Sequence, residues 1–248
     1  IAVEVHTAVA TATNMVFDLE LLGIDRASTF NSSSATLNLN SCSQVLFAGL
    51  YWGANHQQNG NSDTSWIKQE SKIKLKIPGS PSYQIVTATQ TDYHNGIRLS
   101  GPPALVHAGY ASFADVTALI NTTNPNGVYS VGDISTPVGW YSGGAGWTLV
   151  IAYSNPSEIQ RSLTVFDGSA IAKIGVTLTI PITGFLTPPA GPVSCELGAV
   201  VYDGDRALLD NFFFKQDANP LIGAYTNLTP NATSILNDMW NSTISTKG

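Results

Sequence analysis

The segment VLFAGLYW, residues 45–52, decides the fold class of this chain. It is a short apolar run rich in aromatic side chains, and a second run of this kind, WTLVIAYS, occupies residues 147–154. Both runs are bounded by Gly, Asn and Ser. Buried strands show this pattern, whereas amphipathic helices repeat their apolar residues three and four positions apart. The two runs therefore predict β-strands.

Other segments show the same short apolar runs or an alternation of apolar and polar residues. They are residues 35–39, 71–77, 83–89, 127–131, 162–166, 176–181 and 198–202. Turn-forming pairs such as Asn95-Gly96 and Asp167-Gly168 lie between strands. Short strands with frequent turns predict an all-β fold, a β-sandwich or jelly-roll-like arrangement, in one domain spanning residues 1–248. Helical spacing adds one or two short helices, at 113–121 and 234–240.

The composition predicts a neutral, polar surface. Only 11% of the 248 residues are charged, while 43% are hydrophobic, and the net charge is −6. The basic residues are scattered along the chain, so we expect no cationic face for nucleic acid. No apolar run reaches the roughly 18 residues that a membrane-spanning helix needs.

Two cysteines, Cys42 and Cys195, lie far apart in the sequence. The low charge and the abundance of Asn, Ser and Thr favour an oxidising exterior, where a disulfide between them would persist. Two free buried thiols are the alternative, and only geometry distinguishes the two arrangements.

Several stretches together carry a family likeness. They are FNSSSATL (30–37), LFAGLYWGA (46–54), FADVT (113–117), GWTLVIAY (146–153), TVFDG (164–168), YDGDR (202–206) and WNSTIS (240–245). In this order they resemble a β-rich domain of very long bacterial cell-surface proteins, including SprB-like gliding adhesins. The resemblance implies export to the cell surface, tandem β domains, and a part in adhesion, gliding motility or extracellular filaments. It supplies no catalytic signature.

The acidic turn at Asp203 and Asp205, followed by Asp210, is a candidate calcium site. Calcium prefers oxygen ligands from flexible loops, although the spacing here is not that of an EF-hand. The alternative is an ordinary turn in which these carboxylates bond local backbone N–H groups and Arg206. Calcium is the one cofactor that the sequence suggests.

Two aromatic residues, Trp140 and Tyr141, are the candidate ligand-binding residues. They precede the flexible stretch SGGAG, residues 142–146, which would present them to solvent. Exposed aromatic rings stack on sugar rings, because they offer a flat apolar face with a polar edge. Trp52 and Trp147 lie within predicted strands, and we expect them to fill the core.

We expect a non-catalytic protein outside the cell or on its surface. Its histidines lack metal-ligand spacing, and no serine occupies a Gly-X-Ser-X-Gly elbow. The first hypothesis is a structural or adhesive module that contacts neighbouring domains or identical subunits of a fibre. In one form of it, residues 1–17 are an arm that adds to the next subunit's sheet; the alternative is an ordinary first strand. The second hypothesis is a lectin-like, calcium-dependent module that binds surface polysaccharide.

Overall fold

The computed structural model describes residues 3–5, 28–55, 70–94, 109–121, 123–136, 145–170, 175, 177–184, 190–191, 197–202, 212–214 and 226–228.

Strands dominate this part of the chain. They are β1 (Val3–Val5), β2 (Ser32–Leu37), β3 (Gln44–Asn55), β4 (Lys72–Lys76), β5 (Gln84–Thr87), β6 (Gln90–His94), β7 (Gly109–Asp115), β8 (Gly127–Gly132), β9 (Ala145–Ser154), β10 (Val165–Phe166), β11 (Ala199–Val200), β12 (Phe212–Phe214) and β13 (Thr226–Leu228). A short 3-10 helix, Thr117–Leu119, follows β7. Among the described residues, no helix has the length and apolar character that crossing a bilayer requires.

Two four-stranded antiparallel sheets form the body of the protein. The first sheet has the order β2-β8-β4-β5, and the second has the order β6-β7-β3-β9. Two smaller sheets, β10-β1-β11 and β12-β13, complete the described strands. Buried side chains from both large sheets share one hydrophobic core. The fold is therefore an all-β sandwich, as the sequence predicts.

Strand β3 is the centre of this sandwich because both of its edges are paired. It is antiparallel to β7 on one side and to β9 on the other. Its alternate residues point into the core, where Leu50 and Trp52 are fully buried. Ile73 and Leu75 of β4 face them from the first sheet. The two apolar runs that decide the fold class thus lie side by side as β3 and β9.

The helix predicted at residues 113–121 is wrong over most of its length. Residues 113–115 belong to β7, and only Thr117–Leu119 forms a single 3-10 turn. Asp115 starts that turn, because its Oδ1 accepts hydrogen bonds from the Thr117 N–H at 2.9 Å and from the Thr117 hydroxyl at 2.6 Å. Strand β7 was missed because buried Ser112 interrupts the apolar alternation of its inner face.

The other differences from the predicted elements lie in short strands and in strands toward the C-terminus. Residues 177–181 were predicted as a strand and have no regular secondary structure. Strands β6, β12 and β13 were not predicted. The helix predicted at 234–240 lies outside the described residues.

Strand β1 pairs with strands of its own chain. Val5 lies opposite Val165 of β10, and Val3 lies opposite Val200 of β11. Of the predicted arm at residues 1–17, only these three positions are described. They form the central strand of a small sheet, as an ordinary first strand would, and strand exchange between subunits stays a prediction.

Candidate functional site

The residues singled out from the sequence fall mostly outside the described part of the chain. This applies to Trp140, Tyr141, Cys195, and the carboxylates Asp203, Asp205 and Asp210. Cys42 is described and is an exposed, free thiol, so the structure gives no support to the disulfide. The described residues contain no cluster of three or more His, Cys, Asp or Glu side chains arranged for a metal ion. The calcium site and the ligand-binding aromatics stay predictions.

The outer face of the second sheet carries a cluster of three aromatic rings. Tyr51 of β3 packs against Phe113 of β7, with 4.8 Å between ring centroids. Tyr202, which follows β11, lies over the same sheet: its hydroxyl donates to Thr148 Oγ1 at 3.1 Å and to the Tyr51 carbonyl oxygen at 3.4 Å. Burial raises the pKa of Tyr202. Tyr202 is thus fixed to the outside of this sheet.

Acidic side chains surround this aromatic cluster. Asp92 of β6 and Asp167, next to β10, line a shallow cleft with Tyr51, and the cleft holds about 20 Å³, room for about one water molecule. Asp115 lies on the same outer face, because it pairs with Gly49 in register with Tyr51. Burial, then the negative charges of Asp167 and Asp115, raise the pKa of Tyr51 to about 12. This face therefore combines aromatic rings with negative charge, and we call it the acidic face.

Close packing at Gly146 of β9 gives a direct test of how Tyr202 is held. A Cβ atom at Gly146 would lie 2.6 Å from Cδ1 of the Tyr202 ring. We expect Gly146→Ala to displace the ring and lower the free energy of unfolding by about 1–3 kcal/mol, the usual cost of overpacking. Urea denaturation followed by tyrosine and tryptophan fluorescence measures the change.

The matched control for this substitution is Gly168→Ala. Gly168 lines the same cleft, but a Cβ atom there would meet no heavy atom within 4 Å. Its stability should stay within about 0.5 kcal/mol of the wild type, as for other surface positions. Equal losses in the two variants would show that Tyr202 does not pack on Gly146.

The outer face of the first sheet has the opposite charge. Lys72, Lys74 and Lys76 alternate along β4 with the buried residues Ile73 and Leu75, so all three lysines point outward. We call this row the lysine stripe. The sequence predicts scattered basic residues and no cationic face for nucleic acid; these three share one side of β4, and the absence of such a face stays a prediction. The alternation KIKLK was the available signal, since one side of a strand collects every second residue.

Apolar side chains flank the lysine stripe. Ile85 on β5 is 70% exposed and Val128 on β8 is 48% exposed, and both strands border β4. Lys74 is the least available of the three lysines, because it forms an ion pair with Asp133 at 2.8 Å and donates to the Ser28 carbonyl oxygen. Lys72 is exposed, and the Lys76 ammonium lies 6.0 Å from the centre of the Tyr83 ring.

A buried carboxyl group, Glu70, lies inside the sandwich. Its backbone carbonyl oxygen accepts hydrogen bonds from Trp52 Nε1 at 3.0 Å and from Ser112 Oγ at 3.1 Å. Burial raises the pKa of Glu70 to about 7, although a hydrogen bond from the Tyr93 hydroxyl opposes the rise. Burial and the nearby charge of Glu70 also raise the pKa of Tyr110. No local pattern in the sequence marks this glutamate as buried.

Comparison with known proteins gives no match. No protein-family model, no curated protein and no solved structure is similar to this chain.

Proposed function

We propose that this protein is an extracellular structural or adhesive module of a cell-surface protein or fibre, in keeping with its resemblance to domains of gliding adhesins. The observation that carries the proposal is the way the sandwich interlocks distant parts of the chain. Strand β2 lies beside β8, and β3 lies between β7 and β9. These strand pairings join segments that are far apart in the chain through many backbone hydrogen bonds, and this suits a structural module.

Side-chain hydrogen bonds between strands that are far apart in the sequence support the same proposal. Ser34 and Ser130, 96 residues apart, join β2 to β8 through their hydroxyls at 2.8 Å. Trp147 of β9 donates its Nε1–H to Ser33 Oγ of β2 at 2.7 Å, and this bond ties the second sheet to the first. The outward residues of β2 are neutral and hydroxyl-bearing. A contact with a neighbouring domain there would bury hydroxyl groups, which cost less to remove from water than charges do.

Labelling of intact cells tests this function. Antibodies raised against the purified chain should label the surface of unpermeabilised cells of the source organism, seen by immunogold electron microscopy. Cells lacking the gene should lose the label and attach less to surfaces. Labelling that requires permeabilisation would overturn the proposal, and so would normal attachment and motility in the deletion strain.

Carbohydrate binding is the second candidate function, and the acidic face favours it. The partly exposed Phe113 lies there beside Gln90 and Asp92, and an aromatic ring next to amide and carboxylate groups suits a sugar. Retention on an immobilised glycan panel, with and without a calcium chelator, is the test. Loss of retention in Gln90→Ala/Asp92→Ala but not in the control Tyr83→Ala would support it, and no retention on any glycan would contradict it.

A further inference from the structure

We propose that copies of this protein stack face to back, with the lysine stripe of one copy docked on the acidic face of the next. The inference deepens the proposed function and rests on it, because it states how identical subunits of a fibre would meet. Its basis is that the two outer faces of one sandwich carry opposite charge.

The basic side of the contact is the lysine stripe. Lys72 and Lys76 lie four positions apart on β4, so their Cα atoms are separated by about 13–14 Å along the strand. Lys74 lies between them but is already paired with Asp133. Lys72 and Lys76 are therefore the lysines available to a partner. Exposed Ile85 and Val128 beside them add apolar area that a partner would cover.

The acidic side of the contact is the outer face of the second sheet. Asp92 and Asp167 line one cleft, and the charges of Asp167 and Asp115 both reach the Tyr51 hydroxyl. Three carboxylates thus converge around one aromatic cluster. A lysine ammonium docked there would meet carboxylates, which attract a cation.

The placement of the two faces fixes the kind of assembly. The inner faces of both sheets share the core, so the lysine stripe and the acidic face lie on opposite sides of the sandwich. A contact between two different faces is heterologous: each added copy leaves one free face of each kind. Such contacts build open filaments unless the rotation between copies closes a ring. Stacking through these faces therefore gives a filament that grows copy by copy.

Charge also explains why the contact is directional. The chain carries a net charge of −6, so copies repel one another in most orientations. An approach that brings the lysine stripe toward the carboxylates of the acidic face is attractive instead. At 0.1 M ionic strength, salt largely screens the interaction between exposed charges that lie more than about 10 Å apart, and this distance shrinks as the salt concentration rises. Raising the salt concentration should therefore weaken the stacking.

Charge reversal on each face, followed by mixing, is the test. The full chain, the variant Lys72→Glu/Lys76→Glu and the variant Asp92→Lys/Asp167→Lys are compared by sedimentation velocity and negative-stain electron microscopy at low and high salt. Lys74 and Asp115 are left unchanged because they have structural partners. We expect each variant to associate about 10- to 100-fold more weakly than the wild type, as for other interfaces that lose charge pairs.

The equimolar mixture of the two variants separates a specific contact from a change in net charge. In the mixture, the intact acidic face of the lysine variant meets the intact lysine stripe of the aspartate variant. The two reversed faces are also complementary to each other. Filaments should therefore reappear in the mixture, although neither variant forms them alone. Thermal unfolding checks that both variants are folded. If the lysine variant is not folded, the milder pair Lys72→Gln/Lys76→Gln replaces it.

Three outcomes would overturn this inference. Unchanged filaments in both variants would leave the fibre function in place and exclude this contact. A wild-type chain that stays monomeric at every salt concentration would also exclude it, and surface labelling of intact cells would still decide the proposed function independently. Binding of a carboxylated polysaccharide such as polygalacturonate through Lys72 and Lys76, without self-association, would assign the lysine stripe to a polyanion instead.

Discussion

Replacing Trp52 with alanine lowers the free energy of unfolding by about 4 kcal/mol, the largest effect that we expect from a single substitution. Trp52 is fully buried on the central strand β3. Its removal leaves a cavity between the two sheets, because paired strands on both sides of β3 restrict relaxation. It also removes the hydrogen bond that the indole Nε1–H donates to the Glu70 carbonyl oxygen, at 3.0 Å between nitrogen and oxygen. Equilibrium denaturation in urea measures the loss.

Trp52→Phe divides this effect into its two parts. Phenylalanine keeps most of the buried ring but has no N–H to donate to the Glu70 carbonyl oxygen. We expect this variant to lose roughly half as much stability as Trp52→Ala, through a smaller cavity and one unmade buried hydrogen bond. A loss below about 1 kcal/mol in Trp52→Ala would contradict the central position of β3 in the core.

The second large effect is a dependence of stability on pH that comes from Glu70. Burial raises its pKa to about 7 in the folded protein, from 4.5 for a glutamate in water. Between these two values the folded state holds a proton that the unfolded state has lost. Stability is therefore full below pH 4.5 and falls as the pH rises through 7. The shift corresponds to a loss of about 3 kcal/mol once Glu70 is ionised.

Glu70→Gln should remove this dependence. The amide has nearly the same shape as the carboxylic acid and stays neutral at every pH, so the variant should be more stable than the wild type at pH 8 by up to about 3 kcal/mol. Urea denaturation from pH 4 to pH 8 measures it. The control is Glu158→Gln, the same change at a partly buried glutamate after β9, measured at the same pH values. If stability changed with pH in the same way in the wild type and in Glu70→Gln, the result would contradict a buried Glu70 that ionises with a raised pKa.

Strands with strong local patterns could be predicted from the sequence, and weakly patterned ones could not. Strands β3 and β9 are long apolar runs, and both lie where the sequence indicates. The end of strand β7 falls within the predicted helix 113–121, because Asp115, Val116 and Leu119 follow helical spacing. Ser112 is tolerated inside because its hydroxyl bonds to the Glu70 carbonyl oxygen. That bond joins residues 42 positions apart, so no local pattern reveals it.

The two charged faces differ in the same way: the sequence pattern of one strand reveals one face, and only the fold brings the residues of the other together. The alternation of Lys72, Lys74 and Lys76 with apolar residues is visible in the sequence and marks one side of a strand. The acidic face is different, because Asp92, Asp115 and Asp167 come from separate segments that meet only around Tyr51. Trp140, Tyr141 and the carboxylates Asp203, Asp205 and Asp210 were chosen for their exposed, turn-like surroundings, and their roles await the tests above.

The sequence by itself determined that this protein is built from β-strands, because the alternation of buried and exposed side chains along a strand is a local property with a period of two residues. It also determined the low charge and the polar, hydroxyl-rich surface. Only the tertiary structure decided which strands are neighbours, that Glu70 is buried beneath Trp52, and that the two outer faces carry opposite charge. Each of these depends on pairing between strands that are far apart in the chain, and that pairing is set by the packing of the whole core.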